Sequence, residues 1–398
     1  MNTRLSIEQR NAVLHLMAEL VDQRSADLLI ANQKDSDAYD GGDLAMRDRL
    51  KVDDAKIKGM QLALRQLADR EDPLNIERFS FTHDNGIQVS NRTAPFGTIL
   101  IIYESRPDVT IEAAGIAFKS GNRILLKGGK EALNSNLLLV ELWHEALTAQ
   151  GCQTDWVQYL NYSRTQTQAF LENPTTPIDL IVPRGGEKLI AFVKAHATCP
   201  VIVSGRGNNF VYVAEDADPE MALSIIINAK TAKISACNAL DKVLIASDMP
   251  HREVFLNRLV ADLKAQEVSI ITDQNLAGLP QTTPLTDDAI WHEEFLDYKI
   301  VLGQAADLKT AIEHINKYSG GHSASIITTD AQKAQQFMES VDAAAVYHNA
   351  STRFTDGGQF GLAGELAIST DKLHQRGPIG LQHLVTNKWY VTGQGQIR

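Results

Sequence analysis

From residue 96 onward the sequence alternates short β-rich runs with amphipathic segments of helical periodicity, and this alternation strongly constrains the fold. A first series of strands is predicted at 98–103, 123–127, 178–182, 201–204 and 210–213, and a second at 242–247, 268–272, 299–302, 324–328 and 344–348. Helices are predicted between them at 187–197, 221–232, 252–265 and 308–317. Strands that alternate with helices form parallel sheets covered on both faces. The chain is therefore predicted to be α/β.

The two series of strands indicate two domains, as expected for a chain of 398 residues. The alternation of strands and helices restarts near residue 205, so the predicted domains are 1–205 and 206–365. The first 70 residues are predicted to be helical, with a capping box at Ser6 and Gln9 and a second helix at about 53–68. Segment 366–398 contains strands predicted at 367–370 and 389–392, apart from either core. Such a tail often adds to the sheet of a partner subunit, so we expect a homo-oligomer of closed symmetry.

The charge balance excludes some classes of partner. Acidic residues outnumber basic ones 49 to 38, which gives a net charge of −11. A body this acidic is repelled by nucleic acid and by anionic membranes, so neither is an expected partner. Apolar runs are far shorter than the ~20 residues of a membrane span, and the N-terminus lacks a signal pattern, so we expect a cytoplasmic protein. The three cysteines form neither a disulfide framework nor a zinc motif, and we expect no metal.

Standard nucleotide-binding motifs are missing from the sequence. The nearest match to Gly-x-Gly-x-x-Gly is 205–210, which lacks the last glycine and runs into a predicted strand. No phosphate loop of the Gly-x-x-x-x-Gly-Lys type occurs. A better phosphate site is Gly185-Gly186, between a strand and a helix, where N–H groups at the helix start can bind a phosphate. The alternative is an ordinary β–α turn.

Two further segments are rich in cations or donors. Lys127 and Lys130 end a stretch without acidic residues, just past a predicted strand, where α/β sheets bind ligands. A solvated basic turn is the alternative there. Polar loops 103–110 and 349–361 each contain an arginine, Arg106 and Arg353, suited to a bidentate pair with a carboxylate. Loops that are only solvated are the alternative interpretation for both.

Cys237 lies in a loop of small residues that has no carboxylate between Glu220 and Asp241. Lys230 and Lys233 are near in sequence, and cations lower the pKa of a thiol. The N–H groups of Cys237 and Asn238 are candidates for binding an oxyanion. A buried, inert cysteine is the alternative. The other two cysteines, Cys152 and Cys199, lack this setting and are predicted to be structural.

Several of these segments resemble the glutamate-5-semialdehyde dehydrogenases, also called γ-glutamyl phosphate reductases, of the aldehyde dehydrogenase superfamily. They are YESRPDVT (103–110), KSGNRILLKGGKEA (119–132), DLIVPRGG (179–186), INAKTAKISACNALDKVLI (227–245), EEFLD (293–297), NASTRFTDGGQFG (349–361) and KLHQRGPIGL (372–381). The resemblance implies an aldehyde dehydrogenase-like fold: an NADP-binding domain, a catalytic domain, and a C-terminal segment, 366–398, that returns to the cofactor domain and forms a β oligomerisation arm.

The resemblance also implies the reaction. L-Glutamyl 5-phosphate and NADPH give glutamate 5-semialdehyde, phosphate and NADP, in the second step of proline biosynthesis, through a thioester on the nucleophile Cys237. Hydrolytic relatives carry a glutamate that activates water about 34 residues before the cysteine. The corresponding segment here, 201–207, contains no acid. Without that general base, the thioester persists until hydride or phosphate reacts with it.

The family pattern assigns the remaining site residues. Many NAD-dependent relatives carry an acid where this chain has Lys130, which favours NADP. Asp108 stands where the family often has asparagine, and Ser235, Ala236 and Ala239 stand where threonines are common, which leaves substrate contacts open. The expected catalytic residues are Cys237 and Asn238, the cofactor-binding residues Lys127, Lys130, Gly185, Gly186 and Glu294, and the substrate-binding residues Arg106, Arg184, Ser351, Thr352 and Arg353.

Two other functions fit parts of the sequence. An acylating aldehyde dehydrogenase passes its thioester to coenzyme A instead of phosphate. A non-catalytic oligomeric binding protein of the same fold has no use for a nucleophile such as Cys237. The kinase that makes the labile acyl phosphate, glutamate 5-kinase, is a further candidate partner.

Overall fold

The computed structural model describes residues 4–42, 44–362, 364–373 and 375–398. Two compact units divide the chain. The first comprises Met1–Val203, Gly361–Ala367 and Ile379–Arg398, and the second Ser204–Phe360 and Ile368–Pro378. Each unit contains a parallel sheet with helices, which confirms the α/β class.

The helices and strands of the described segments are numbered in chain order. The helices are α1 Ile7–Gln23, α2 Ser25–Ala38, α3 Leu44–Leu50, α4 Asp54–Ala68, α5 Val109–Lys119, α6 Leu133–Ala149, α7 Arg164–Glu172, α8 Glu187–His196, α9 Pro219–Thr231, α10 Arg252–Ala265, α11 Leu308–Tyr318 and α12 Ala331–Ser340. The strands are β1 Glu77–Thr82, β2 Gln88–Pro95, β3 Thr98–Tyr103, β4 Arg123–Lys127, β5 Val157–Tyr159, β6 Leu180–Arg184, β7 Asn209–Val213, β8 Leu240–Ala246, β9 Ser269–Thr272, β10 Thr283–Pro284, β11 Lys299–Ala305, β12 Ser323–Ile327, β13 Ala345–His348, β14 Ala367–Ser369, β15 Gly377–Ile379 and β16 Val385–Thr392.

The sheet of the first unit has the strand order β5-β4-β3-β6, all parallel. Its inner strand β3 is apolar and buried from Ile99 to Ile102, and alternate side chains enter two different cores. Ile99 and Ile101 pack in one hydrophobic cluster with residues of α1, α4, α5 and α6, whereas Leu100 and Ile102 pack in another with residues of α7 and α8. Because side chains of a strand alternate between faces, a strand buried on both sides must be apolar without interruption.

The sheet of the second unit has the order β10-β9-β11-β8-β7-β12-β13, again all parallel. Strand β8 is buried at every position. Helices α9 and α11 begin where carboxylates accept hydrogen bonds from first-turn N–H groups: Asp218 caps α9, followed by Pro219 at its first position, and Asp307 caps α11. These caps satisfy N–H groups that have no partner within the helix.

The first unit also contains an antiparallel sheet of order β1-β2-β16. The strand predicted at 389–392 lies within β16, which pairs with β2 of the same chain over its whole length. Aromatic side chains on this sheet are exposed, among them Phe79 and Trp389, whose rings contact each other edge to face. Oligomerisation through this segment stays a prediction. Among the described residues, no helix is both long enough and apolar enough to cross a membrane.

Several predicted strands have other bounds in the structure, among them 201–204 and 178–182. Residues 201–204 form only isolated bridges, Val201 with Ile181 and Ser204 with Ser369, because the chain passes here from the first unit to the second. The strand predicted at 178–182 begins two residues later, at Leu180. Asp179 instead exchanges hydrogen bonds with Thr98, whose N–H donates to its carboxylate at 2.7 Å.

His322, at the start of β12, generates a prediction about pH. The side chain is fully buried, and burial lowers its pKa from 6.5 to about 4. Between these values the unfolded chain binds the proton and the folded chain does not, so stability falls as the pH falls. The expected loss is about 2 kcal/mol at pH 5 relative to neutral pH. Urea unfolding at pH 7.5 and pH 5 measures this loss of stability. His322→Gln should remove this part of the loss, whereas the control His83→Gln, at an exposed position, should not. Equal losses in the parent and both variants would contradict the prediction.

Candidate active site

Three loops meet at the carboxyl edge of the first unit's parallel sheet. They follow β3, β4 and β6, and contain Glu104–Arg106, Gly128–Lys130 and Arg184–Gly186. Strand β3 lies between β4 and β6. After β3 the chain continues to β4 on one side, and after β6 it continues to Val201, which bridges Ile181 of β6, on the other side. Ligands of open α/β sheets bind outside the carboxyl ends of the strands at such a switch point. The sheet therefore gathers most of the cofactor residues predicted in this unit at one edge.

The glycine turn Gly185-Gly186 directly precedes α8, as predicted, and the side-chain carboxylate of Glu104 lies against it. The Gly186 N–H donates to Oε1 of Glu104 at 3.1 Å. A Cβ at Gly185 would lie 2.6 Å from the Glu104 carboxyl carbon, so the close approach of this carboxylate requires glycine. The start of α8 thus binds a negative group, which a phosphate would have to replace.

Lys127 and Lys130 occupy different environments. The half-buried Lys127 donates to the Gly128 carbonyl oxygen at 2.6 Å, and burial lowers its pKa while the Glu131 carboxylate acts in the opposite direction. Lys130 is exposed, in a short 3₁₀ turn. Glu131 accepts a hydrogen bond from the Ser105 hydroxyl at 3.2 Å. An acid not predicted as a site residue therefore lies beside the two lysines.

Arg106 and Arg184 lie close to two acids. Nη2 of Arg106 is 2.9 Å from Oδ2 of Asp108, in a salt bridge. Burial raises the pKa of Glu112, Asp108 raises it further, and the guanidinium groups of Arg106 and Arg184 lower it. Asp108 is the residue that departs from the family pattern, and its effect is to neutralise part of the charge of Arg106.

Cys237 lies at the amino edge of the second unit's sheet, in a tight turn before β8. The Ala239 N–H donates to the Ala236 carbonyl oxygen at 2.9 Å, so Cys237 and Asn238 are the two central residues of the turn. Cys237 is exposed, whereas Cys152 is buried and Cys199 half-buried. Burial raises the pKa of both of those other thiols. Of the three cysteines, all within described segments, Cys237 alone is exposed.

A fully buried asparagine holds this turn in place. Nδ2 of Asn209 lies 2.8 Å from the carbonyl oxygen of Cys237, 2.6 Å from that of Ala239 and 2.8 Å from that of Gly207. A Cβ on Gly207 would lie 2.0 Å from the Cys237 carbonyl oxygen. The strand that precedes β8 in the chain therefore fixes the backbone of the cysteine turn, and only glycine fits at position 207.

Segment 349–355 reaches the cysteine turn by running back along the sheet. Asn349 follows β13 with φ of 54° and donates to the Thr328 carbonyl at the carboxyl end of β12. At the amino end of the same strand, the Ser323 hydroxyl lies 2.6 Å from the Thr355 hydroxyl. The Tyr347 hydroxyl lies 2.6 Å from the same oxygen of Thr355. These contacts carry the segment from one edge of the sheet to the other.

Asn238 joins this segment to the turn. Its side-chain amide donates to the carbonyl oxygens of Arg353 at 3.2 Å and Thr355 at 2.9 Å, and its own carbonyl accepts from the Thr352 hydroxyl at 2.8 Å. Ser351 is buried and caps the short turn 352–354. The predicted residues Cys237, Asn238, Ser351, Thr352 and Arg353 are thus brought together. The hydroxyls of Ser351 and Thr352 serve the fold, whereas Nη1 of Arg353 is buried without a hydrogen-bond partner among the described atoms.

The expectation that Lys230 stabilises the thiolate of Cys237 is wrong. Lys230 is fully buried, and its ammonium lies 3.0 Å from the Asp241 carboxylate in an ion pair. Its charge is therefore compensated. Lys233 is exposed, closer to the turn in sequence.

Glu294, the predicted ribose ligand, is half-buried in the loop before β11. Segment 206–209 connects this region with the cysteine turn: Arg206 donates to the His292 carbonyl at 3.2 Å and Asn208 to the Trp291 carbonyl at 2.7 Å, while Asn209 binds the turn. From the sequence, 205–210 was considered only as an incomplete Gly-x-Gly-x-x-Gly turn, so this role was missed. The asparagine pair Asn208-Asn209 after two glycines was the available signal in the sequence.

Among the described residues no cluster of three metal-ligating side chains occurs.

Comparisons with known proteins identify the family. Residues 3–278 and 281–368 match the aldehyde dehydrogenase family. The γ-glutamyl phosphate reductase of Clostridium beijerinckii is 40% identical over 395 residues, which cover 99% of this chain and 95% of that protein. The crystal structure of γ-glutamyl phosphate reductase from Thermotoga maritima has a TM-score of 0.95 and 38% identity, and the match covers 99% of this chain and 95% of that one.

An acetylating aldehyde dehydrogenase from Geobacillus thermoglucosidasius has a TM-score of 0.69 at 16% identity, with 99% of this chain and 93% of that one covered, and this likeness shows the fold alone. The chain belongs to the aldehyde dehydrogenase family, whose enzymes use a nicotinamide cofactor, and within it to the γ-glutamyl phosphate reductases of proline biosynthesis. The family and the fold class predicted from the sequence are confirmed, and the chain is an oxidoreductase.

The close approach at Gly207 generates a prediction. Gly207→Ala must displace the Cys237 carbonyl and with it the thiol, so we expect kcat/KM to fall by about 100-fold or more, as misplacement by 1 Å does elsewhere. The control is Gly59→Ala in α4, where an added Cβ meets nothing within 4 Å. Kinetics and thermal unfolding of both variants measure the effect. A Gly207→Ala enzyme within threefold of the parent contradicts this account of the turn.

Proposed function

We propose that the chain reduces L-glutamyl 5-phosphate with NADPH to L-glutamate 5-semialdehyde and inorganic phosphate, through a thioester on Cys237. One observation carries the proposal: an exposed thiol at the tip of a rigid turn, hydrogen-bonded through Asn238 to the segment that contains Arg353. A nucleophile and a group for binding the substrate's negative charge are thereby fixed in one place. The close relatives are γ-glutamyl phosphate reductases, which supports the choice of substrate.

The thiolate of Cys237 attacks the acyl carbon, and the C–O bond to phosphate breaks with its electron pair on the departing phosphate. The product of this step is a γ-glutamyl thioester. Bound NADPH supplies a hydride to the thioester carbonyl carbon. The resulting tetrahedral oxyanion collapses, the C–S bond breaks, and its electron pair returns to Cys237 as the thiolate. Both tetrahedral states place negative charge on the former carbonyl oxygen, next to the N–H groups of the Cys237-Asn238 turn.

Arg353 is the substrate-binding arginine that the geometry supports best. Its backbone is held by Asn238, and Nη1 is buried without a hydrogen-bond partner among the described atoms. A buried hydrogen-bond donor without an acceptor is costly, and an anionic group of the substrate that accepts from it removes that cost. We assign Arg106 and Arg184 to the substrate as well, with the charge of Arg106 reduced by Asp108.

The first unit fits a nicotinamide dinucleotide at the carboxyl edge of its sheet. The start of α8 already binds the Glu104 carboxylate, so its N–H groups suit the pyrophosphate of the cofactor. Lys127 and the exposed Lys130 suit the adenosine ribose and its 2′-phosphate, which favours NADP over NAD. We assign Glu294 to the ribose beside the nicotinamide.

The same proposal accounts for the fate of the thioester. Between Lys188 and Ala214 the sequence contains no acid, and hydrolytic relatives place their water-activating glutamate in this region. Without it, water reacts slowly with the thioester, and hydride or phosphate reacts first. A homo-oligomer and docking of glutamate 5-kinase belong to the same proposal as predicted partners.

Replacing the nucleophile tests the mechanism. Cys237→Ala should lower the phosphate-dependent reduction of NADP by glutamate semialdehyde by at least about 10⁴-fold, because no other group forms the thioester. Absorbance at the nicotinamide band measures the rate. The matched control is Cys199→Ala, which should keep the parent rate. Equal rates for the parent and Cys237→Ala, or coenzyme A in place of phosphate as the required acceptor, would refute the proposal.

Reversing one charge tests the choice of cofactor. Lys130→Glu should raise the KM for NADPH by about tenfold or more and leave that for NADH nearly unchanged, because only NADPH carries the 2′-phosphate. The control is Lys194→Glu, the same charge change at an exposed position of α8. The assignment of Lys130 fails if both variants keep the parent's ratio of the two KM values.

A further inference from the structure

A buried ionic cluster lies beneath the loop that carries Glu294. Its members are Lys230 on α9 and Asp241 and Lys242 on β8, all at most 2% exposed. Lys230 lies 3.0 Å from one carboxylate oxygen of Asp241. The ammonium of Lys242 lies 3.7 Å from the centre of the Phe295 ring. The mechanism proposed above makes no use of these charges.

Asp241 and Lys242 reach the same loop although they are neighbours on one strand. In a regular strand consecutive side chains point to opposite faces. The pairing of β7 with β8 is irregular at this point, since Asn209 pairs with Leu240 and Phe210 with Lys242, so Asp241 is an additional residue. A bulge of this kind redirects a side chain and is frequent beside active sites. Here it directs two consecutive charged residues at one segment.

The cluster binds the backbone on both sides of Glu294. Nζ of Lys242 donates to the Glu293 carbonyl oxygen at 2.7 Å, and the Phe295 N–H donates to Oδ2 of Asp241 at 3.0 Å. Leu296, the next residue, has φ of 49°, a conformation that costs energy for a branched side chain. The loop is therefore held in a strained conformation by two specific hydrogen bonds.

The cluster is costly, which indicates a role other than stability. Burial lowers the pKa of Lys242 to about 7, lowers that of Lys230 and raises that of Asp241. Replacing buried ionic groups with apolar ones is often neutral or stabilising. The specific result of this arrangement is the fixed backbone at 293–295.

We propose that Asp241 and Lys242 are positioning residues for the cofactor: by holding residues 293 and 295 they direct the Glu294 carboxylate at the ribose beside the nicotinamide. The inference rests on the proposed function, in which Glu294 binds that ribose. Neither residue touches the cofactor, so each acts only through Glu294. The energetic effect of Lys242 must therefore depend on the presence of the Glu294 carboxylate.

A double-mutant cycle on NADPH affinity tests this dependence. The dissociation constant is measured by fluorescence titration, without turnover, for the parent, Lys242→Met, Glu294→Gln and the double variant. Lys242→Met should weaken binding about tenfold in the parent background and less than twofold in the Glu294→Gln background. The control Lys299→Met should stay within twofold of the parent. Lys299 contacts the Phe295 ring at 4.3 Å and the Glu293 carboxylate at 3.7 Å, but not the backbone bonds around Glu294.

The outcomes separate this inference from the proposed function. A parent protein that binds neither NADPH nor NADH refutes the proposed function. A parent that binds NADPH with additive effects of the two substitutions, or an unchanged affinity in Lys242→Met, refutes only the positioning role. If Lys242→Met does not fold, Lys242→Gln, whose shorter side chain no longer reaches the Glu293 carbonyl, is judged by the same cycle.

Discussion

The geometry of the candidate active site depends on the buried side-chain amide of Asn209. Its Nδ2 lies within 2.8 Å of three carbonyl oxygens, those of Gly207, Cys237 and Ala239. Unpaired buried carbonyl and amide groups cost about 1–3 kcal/mol each, so this arrangement strongly favours one conformation of the cysteine turn. Asn238 links this fixed turn by hydrogen bonds to the backbone of residues 353–355. The neighbouring Arg206 and Asn208 bind the backbone of residues 291–292. One short segment, 206–209, thus supports both the nucleophile and the loop before Glu294.

Electrostatics in the protein are local. The net charge of −11 opposes the binding of polyanions, yet the proposed acyl phosphate substrate, the phosphate product and the cofactor are anions. The cations that matter are held individually: Arg353 has a buried nitrogen without a partner among the described atoms, Lys127 is half-buried, and the start of α8 binds a carboxylate. The charges of other cations are compensated wholly or in part, since Lys230 pairs with Asp241 and Arg106 with Asp108. Which lysine or arginine is available for a ligand therefore follows from its partner and not from its place in the sequence.

The sequence predicts the regular elements well because their burial has a clear period. Strand β3 is found at the predicted residues, and α10 at both predicted ends. Helix α2 lies within the 70 residues predicted to be helical but was not predicted as a separate helix, because two of its three buried residues are the polar Asn32 and Asp35, each held by specific hydrogen bonds. Hairpin β1–β2 was also missed, because β1 is exposed at every position and contributes no residue to a core.

The sequence motifs predict which residues belong to the candidate site but not how the chain brings them together. Family resemblance selects Cys237 and Arg353, but nothing in the sequence shows that 349–355 crosses the sheet to meet the cysteine turn. That path depends on Asn349 at φ of 54° and on the hydroxyl contacts of Thr355. Likewise, the β-bulge at Asp241 cannot be detected from residue types, since a regular strand fits the same letters. Long-range hydrogen bonds between polar side chains and backbone carry no sequence period, and they account for most of what was missed.

The central claim is that Cys237 forms a thioester that water hydrolyses only slowly. Its most direct test is a rapid-mixing measurement of NADPH formation from glutamate semialdehyde and NADP in phosphate-free buffer, followed by the addition of phosphate. The account predicts a burst of at most one NADPH per subunit, then a stop, and renewed turnover once phosphate is added. Continuous NADPH formation without phosphate, or no burst before phosphate is added, would contradict it.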